Sequence, residues 1–386
     1  MSRDLNDVTP SGGDISTLYV ALEVSNRSWV LAIGAPQETG RTSMHKLVPA
    51  DTAALAGKIA NACAAMEDPV RVLLTYEAGY EGFWLARWLG GLDTLRIDVV
   101  VCDPASLEVV RRAKSAKTDR IDARRMVRAL RAWDRGEAEA LSRVRIPTVG
   151  EEDARRLMRR RERLVRERIR LSNTVLGLLK LHGIRDLHPL KPGFGGRLGV
   201  AETANGTPLP PGARLEIEEI AERLALVGRQ LEAVEREKLE RVAASEASED
   251  PRRRSLAGLT KLKGIGPNDA ILLTAEVFHR NFRNRRELAA WAGLAPVPWA
   301  SGGVEREQGI SKAGNGMVRK HLIQMAWRWI RFQPDSAIAL WFRNYCSSRD
   351  GRSRRRGIVA VARRLLIALW RYATTGLVPT GAVMPQ

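Results

Sequence analysis

Val70-Arg71-Val72-Leu73-Leu74-Thr75-Tyr76-Glu77 is a short, nearly continuous apolar run that ends on a carboxylate. A run of this length, rich in Val and Leu and bounded by polar residues, reads as a buried strand. Working upstream, Leu18 to Leu22 is a second strand, ending at Glu23. Ser28 to Ile33 is its hairpin partner across the polar turn Ser25-Asn26-Arg27. A third strand lies near Thr42 to Val48, and Ala53 to Met66 has helical period. Downstream come a helix over Glu81 to Leu89, a strand over Ile97 to Val101 closed by Asp103-Pro104, and a very basic helical stretch from Ala105 to Leu130. The order β-β-β-α-β-α-β-α describes a strand meander followed by helix-linked strands, an α/β domain over residues 17–135. Residues 1–16, polar and rich in Gly, Ser and Asp, read as a disordered leader.

The remainder is helical. Residues 151–182 form an Arg-rich helix in which Leu157, Leu164, Leu171 and Leu178 fall at every seventh position, beside Met158, Val165 and Leu179. That is a coiled-coil seam. Residues 186–213 break the pattern with Gly and Pro, and Leu215 to Val242 resumes it with Ile217, Ile220, Leu224, Leu231 and Val234. These two helices, within a middle region 150–245, pair as an antiparallel hairpin or serve another protomer. After the polar link Ala244 to Arg254, residues 255–375 read as a helical domain with one Gly-rich centre, and 376–386 as a disordered tail.

The chain has 386 residues, 44% of them apolar, enough for two or three cored domains. Its formal charge of +19 opposes compaction unless an anion meets it, and nucleic acid is the natural partner. There is no apolar run of about 18 residues to span a bilayer, and no signal-peptide core in Met1 to Thr17. Cys63, Cys102 and Cys346 lie far apart, which argues against a zinc site and for reduced thiols in a cytoplasmic protein.

Four carboxylates stand where chemistry would need them. Glu23 and Glu77 end strands, while Asp119 and Asp122 are three residues apart in Lys117-Thr118-Asp119-Arg120-Ile121-Asp122-Ala123, hence on one helix face. Hard oxygen ligands in such a set hold a pair of Mg²⁺ ions about 4 Å apart in phosphoryl-transfer enzymes. Equally, Asp119 caps a helix or pairs with Arg112 or Arg124. Arg111, Arg112, Lys114, Lys117, Arg120, Arg124, Arg125 and Arg128 surround the Asp pair and suit a polyanion brought to the acids.

Further on, Leu262-Lys263-Gly264-Ile265-Gly266-Pro267 resembles the hairpin of a helix-hairpin-helix module, whose glycines admit a phosphate. An ordinary helix–helix turn explains the same residues. The loops Gly293 to Gly303 and Gly309 to Arg319 are too rich in Gly, Ser and Asn to be core. Ser301 sits there in a flexible turn, with Lys312, Arg319 and Lys320 available to hold phosphate. A serine so placed is an ordinary loop residue or a nucleophile.

Three blocks in series carry a family resemblance: Tyr76-Glu77-Ala78-Gly79, then Lys117 to Ala123, then Gly264-Ile265-Gly266-Pro267 through Ser301-Gly302-Gly303 to Gly309-Ile310-Ser311-Lys312-Ala313-Gly314-Asn315. Together they resemble the DEDD transposases of the insertion sequence 110 family, over most of residues 17–345. The resemblance implies a RuvC-like (RNase H-like) N-terminal domain, a coiled-coil linker and a C-terminal transposase domain with a reactive serine. It implies Mg²⁺, two ions, held by Glu23, Glu77, Asp119 and Asp122, with Ser301 as nucleophile and Ser311 as the alternative. It implies DNA partners, a structured guide RNA encoded by the element, and a homo-oligomer, dimer or tetramer, in the cytoplasm at the nucleoid. In such assemblies acids of one protomer face the serine of another. Where the family has Asp in its first strand, this chain has Glu23. A hydrolytic nuclease of Holliday-junction or RNase H type needs the acids without Ser301, and an inactive nucleic-acid-binding relative needs neither.

Overall fold

The computed structural model describes residues 4–12, 15–36, 41–66, 70–79, 81–107, 118–301, 304–347 and 351–384. Contacts divide the chain into two units, Met1–Thr148 and Val149–Gln386.

In the first unit the chain forms β1 (Thr17–Glu23), β2 (Trp29–Gly34), β3 (Ser43–Leu47), α1 (Thr52–Ala64), β4 (Arg71–Glu77), α2 (Trp84–Gly90), β5 (Ile97–Cys102) and α3 (Asp119–Asp134). The strands make one sheet in the order β3-β2-β1-β4-β5. β2 is antiparallel to β1 and β3, whereas β4 is parallel to β1 and β5. A mixed sheet of this order fits the RNase H-like architecture expected. Alternation sorts the side chains. Val20, Leu22, Val72, Leu74 and Tyr76 share a core with Leu55 and Ile59 of α1 and Leu85 and Leu89 of α2. Tyr19, Ala21, Leu73 and Val100 meet Ala123, Met126, Val127 and Leu130 of α3. Each fully buried side chain of Val or Leu size contributes about 1.5–3 kcal/mol.

The direction of α3 is fixed by its last residue. Asp134 accepts hydrogen bonds from Tyr19 Oη (3.0 Å) and Arg71 Nη1 (3.1 Å), residues near the starts of β1 and β4. Arg131 lies over the Tyr19 ring at 5.1 Å. The helix therefore runs back along the sheet, antiparallel to β1 and β4. Its 16 residues extend ~24 Å, matching the ~23 Å of a seven-residue strand, so its first turn reaches the far ends of both strands.

The stretch read as a disordered leader departs from expectation. Val8 is buried, the Asn6 side chain exchanges hydrogen bonds with the Ile146 backbone, and Ser11 donates from N–H and hydroxyl to Asp134. Its order comes from partners more than a hundred residues away, which local composition does not reveal.

The second unit contains α4 (Val149–Leu181), α5 (Phe194–Gly199), α6 (Pro211–Glu246), α7 (Pro251–Thr260), α8 (Pro267–Leu272, continuing as a π turn, Leu273–Val277), α9 (Arg285–Trp291), β6 (Pro296–Ser301), β7 (Val304–Ile310), α10 (Gly316–Phe332), α11 (Ala337–Cys346) and α12 (Gly351–Thr375). The α4 and α6 helices pack antiparallel: Arg160 pairs with Glu237 at 2.6 Å, Arg161 with Glu235 at 2.8 Å, and Arg241 donates to the Ala154 carbonyl. Ile217, Ile220, Leu224, Val227, Leu231 and Val234 bury a stripe at alternating three- and four-residue steps. One core runs from Leu157 of α4 to Leu369 of α12, so the hairpin and the C-terminal helices are one body rather than a linker and a separate domain.

The tail also differs from its reading as disordered. The Val383 N–H donates to Gln333 Oε1, Gln333 Nε2 donates to the Val383 and Lys263 carbonyls, and the Ala337 N–H donates to the Thr380 carbonyl. Buried Gln333 thus stitches Val383 to the turn before α8. Among the described residues no helix is long and apolar enough to cross a membrane.

Candidate active site and nucleic-acid interface

In the first unit, the parallel register of β1 and β4 runs from Thr17 opposite Arg71 to Ala21 opposite Thr75. The same offset sets Glu23 beside Glu77, where both strands end. Adjacent strands lie about 4.8 Å apart. By pleat alternation both carboxylates belong to the face that α3 covers. The helix starts at Thr118, whose hydroxyl accepts the Ile121 N–H, and its first turn carries Asp119 and Asp122. Four carboxylates thus share one end of one sheet face.

Asp119 is exposed, while Glu23, Glu77 and Asp122 are half-buried. Arg125 lies 3.5 Å from Asp122, one turn along α3. Hard, partly solvated oxygen donors of this kind suit a divalent cation. Among the described residues, no three acidic, histidine or cysteine side chains come close enough together to hold one. The fold therefore brings the acids to one end of the sheet without drawing them into a closed ligand set.

Of the basic residues expected beside them, Arg120 and Arg124 are exposed on α3. Arg111, Arg112, Lys114 and Lys117 lie outside the described residues. The sequence reading used Asp103 only as a strand stop. It follows Cys102, the residue paired with Glu77, and so adds an exposed carboxylate at the same sheet edge. Its position after a strand adjoining β4 was the available signal. Cys102 itself is buried and donates to the Tyr76 carbonyl. Burial, with the Glu77 and Asp103 charges adding, pushes its thiol up to about 12, so it is neither ligand nor nucleophile near neutral pH.

In the second unit Ser301 is the last residue of β6, in register with Val304 of β7. The flexible turn expected around it is a two-stranded hairpin up to this residue, consistent with the hairpin tendency of the Gly302-Gly303 dipeptide that follows. Ser311 is exposed just after β7, its N–H donating to the Ala295 carbonyl. The next turn is tightly constrained. Lys312 takes a left-handed φ of 54°, and a Cβ on Gly314 (φ 91°) would lie 2.1 Å from the Trp291 carbonyl oxygen. Asn315 Oδ1 then caps α10, accepting from Met317 and Val318.

Two of the phosphate-holding residues expected here already have protein partners. Arg319 donates to the Lys312 carbonyl at 3.0 Å, and Lys320 donates to Glu162 of α4 at 2.9 Å. Lys312 is exposed. At the glycine hairpin, Gly264 has φ 93° and packs against Phe332, while the Gly266 N–H donates to Asp269. Asp269 is buried and pairs with Arg328 at 2.8 Å. The Lys263 backbone is held by Gln333 and Val383, leaving its side chain exposed.

A further basic feature escaped the sequence reading, which saw in α4 only its leucine seam. The other face of α4 and the start of α10 enclose a cavity of about 750 Å³, lined by arginines.

Comparison with known proteins decides what this assembly belongs to. Residues 24–184 match the model of the DEDD transposases of the IS110 group, and residues 257–341 match that of the transposase IS116/IS110/IS902 family. A protein of Sinorhizobium fredii, named as a transposase, is 40% identical over 380 residues, covering 96% of this chain and 95% of its own. The chain belongs to the IS110 family of transposases. The transposase for insertion sequence element IS1111A of Coxiella burnetii is 29% identical over 277 residues, 68% of each chain. As a member of this family the protein is a DNA transposase, with DNA as partner and general divalent-metal use. The first match takes in Glu77, Asp119 and Asp122 and begins one residue after Glu23. The second takes in Ser301, Ser311 and the glycine hairpin.

Proposed function

We propose that this transposase cuts and rejoins the ends of an insertion sequence through a covalent serine–DNA link, aided by Mg²⁺ and directed by an element-encoded RNA. The observation that carries the reading is the convergence of Glu23, Glu77, Asp119 and Asp122 at one end of the sheet. Two bound Mg²⁺ ions would supply electrostatic stabilisation of charge on the attacking and leaving oxygens. Glu77, Asp119 and Asp122 would hold them, with Glu23 completing the set. The longer Glu23 side chain reaches further than an aspartate from the same strand end.

Ser301 is the proposed nucleophile. Its hydroxyl gives up a proton, its oxygen bonds to phosphorus, and the 3′ or 5′ oxygen of the cut strand leaves and takes a proton. The phosphoserine link conserves the energy of the cut phosphodiester for rejoining. Arg120 and Arg124, with Arg111, Arg112, Lys114 and Lys117, draw the phosphate backbone to the acids. Lys263, Gly264, Gly266, Lys312, Arg319 and Lys320 are proposed backbone contacts around the serine. The reading also takes residues 17–135 as a RuvC-like domain, α4 and α6 as a coiled-coil hairpin within one chain, 262–267 as a helix-hairpin-helix, and the protein as a homo-oligomer. Acids of one protomer would act with the serine of another.

A covalent-trapping assay tests this. Full-length protein, RNA from the element end and labelled DNA are mixed with Mg²⁺, denatured and resolved on a gel. The expected result is a DNA-linked protein band that vanishes in Ser301→Ala and persists in Ser311→Ala. A band lost only in Ser311→Ala would move the nucleophile to Ser311. Cleaved DNA with no band would replace this reading with a hydrolytic nuclease, and bound but uncut DNA with an inactive binding protein.

A further inference from the structure

The cavity of the second unit lies between one face of α4 and the first turn of α10. Among the described residues that line it, seven side chains are basic and two acidic. Arg155, Arg159, Arg163 and Arg166 follow one another at helical spacing, so they form a stripe ~16 Å long. Lys320 and the backbone of Gly316 and Met317, at the positive end of α10, complete the opposite wall.

The charges are unevenly satisfied. Arg159 is matched by Glu276 through two hydrogen bonds, and Lys320 by Glu162. Arg163 and Arg166 are exposed, and no described carboxylate pairs with either; Arg166 makes only a 3.4 Å bond to the carbonyl of Glu162 in its own helix. Arg155 is more unusual. It is only 7% exposed, its Nη2 lies 3.1 Å from His279 Nε2, and its buried Nε has no hydrogen-bond partner. Burial holds this guanidinium below its usual value, Glu276 opposing. A largely buried cation on the wall of a basic cavity is a costly arrangement that a nearby anion would ease through its charge.

We propose that this cavity is a binding site for the phosphate backbone of DNA, gripped by the arginine stripe of α4 and the start of α10. Arginine forks and helix N-termini both favour phosphate. A ~16 Å stripe of point contacts suits a chain of phosphates better than a single small anion. Contacts of arginine and helix N-terminus to phosphate fix the register of DNA on the protein. The inference rests on the reading of DNA as the substrate, and places a contact on α4 where none was expected.

The test is binding alone. Full-length protein and a short fluorescein-labelled DNA duplex are titrated by anisotropy across a salt series in EDTA, so that neither metal nor Ser301 affects the result. The variant Arg163→Gln/Arg166→Gln removes exposed side chains and leaves the core intact. Its expected signature is weaker binding with a log–log salt slope shallower by about two, one per lost phosphate contact. The control Arg223→Gln/Arg229→Gln removes the same charge from exposed positions on α6 and is expected to keep the wild-type slope. Equal slopes for wild type and the Arg163/Arg166 variant would overturn the proposal. So would equal losses in both variants, which would mark a bulk charge effect. A loss seen only with structured RNA, DNA binding being unchanged, would overturn the assignment to DNA. The covalent-trapping reading would stand or fall separately.

Discussion

Asp134, the last residue of α3, is fully buried and forms a 3.1 Å ion pair with Arg71, the first residue of β4. The same carboxylate accepts from Tyr19 and from Ser11, and Arg71 continues to Asp98 at 2.8 Å. This single junction ties the chain's start, two central strands and the helix end together. It also sets which end of the sheet the opposite end of α3 reaches, and thereby where Asp119 and Asp122 sit.

Replacing Asp134 with Ala should strand Tyr19, Ser11 and part of Arg71 without an acceptor. Removing one partner of a buried pair costs about 3–5 kcal/mol. Urea unfolding of the full chain, followed by circular dichroism, should show the first unit destabilised on that scale. A loss below about 0.5 kcal/mol, the usual range for a surface change, would contradict the role assigned to the junction.

The carboxylates at the other end should behave oppositely. Asp119→Asn changes an exposed side chain, so stability should stay within about 0.5 kcal/mol of wild type while metal-dependent strand cleavage is lost. Glu77→Gln should do the same. Glu23→Asp should retain cleavage, since an oxygen donor remains on the same strand end. Cleavage assays run beside thermal melts separate the two effects, and full cleavage by Asp119→Asn would remove this residue from the site.

His321 on α10 gives a pH signature. Burial holds its imidazole below the usual value, Asp269 and Glu162 opposing and Lys320 and Arg161 adding, so it is neutral at pH 7. Its Nε2 lies 3.9 Å from Glu162. A lowered folded value means the unfolded chain binds the proton first. Stability linked to His321 is therefore complete above about pH 6.5 and declines as pH falls towards the folded value. Glu162 follows in a more acidic window. Burial raises its carboxyl, but the Lys320 hydrogen bond and nearby charges leave it lowered overall. Urea midpoints measured between pH 7 and 5 should fall more in wild type than in His321→Gln. Parallel curves would show that His321 does not titrate this way.

Much of the first unit was legible because its strands are short apolar runs ending in polar residues, and pattern alone places such elements. Glu23 and Glu77 could be matched because each ends a strand. What sequence could not show was that α3 runs antiparallel to β1 and β4, a fact fixed by contacts from Asp134 to residues 63 and more positions away. The leader and tail were misread for the same reason: Asn6, Ser11 and Val383 are held by distant backbone, while their own composition is that of loops. On α4 the leucine repeat hid the arginine face, since one helix serves two partners on two sides. Ser301 looked like a flexible turn because its neighbouring glycines signal a hairpin and a loose loop alike.

The four carboxylates lie outside the apolar clusters of the first unit, at strand ends and on an exposed helix turn. Folding and the proposed catalysis thus draw on different residues. A copy of the element whose Asp119 had decayed would still yield a folded, DNA-avid protein. Such copies would compete with active ones for the same ends, so inactivation by point mutation would turn an element's own descendants into its repressors.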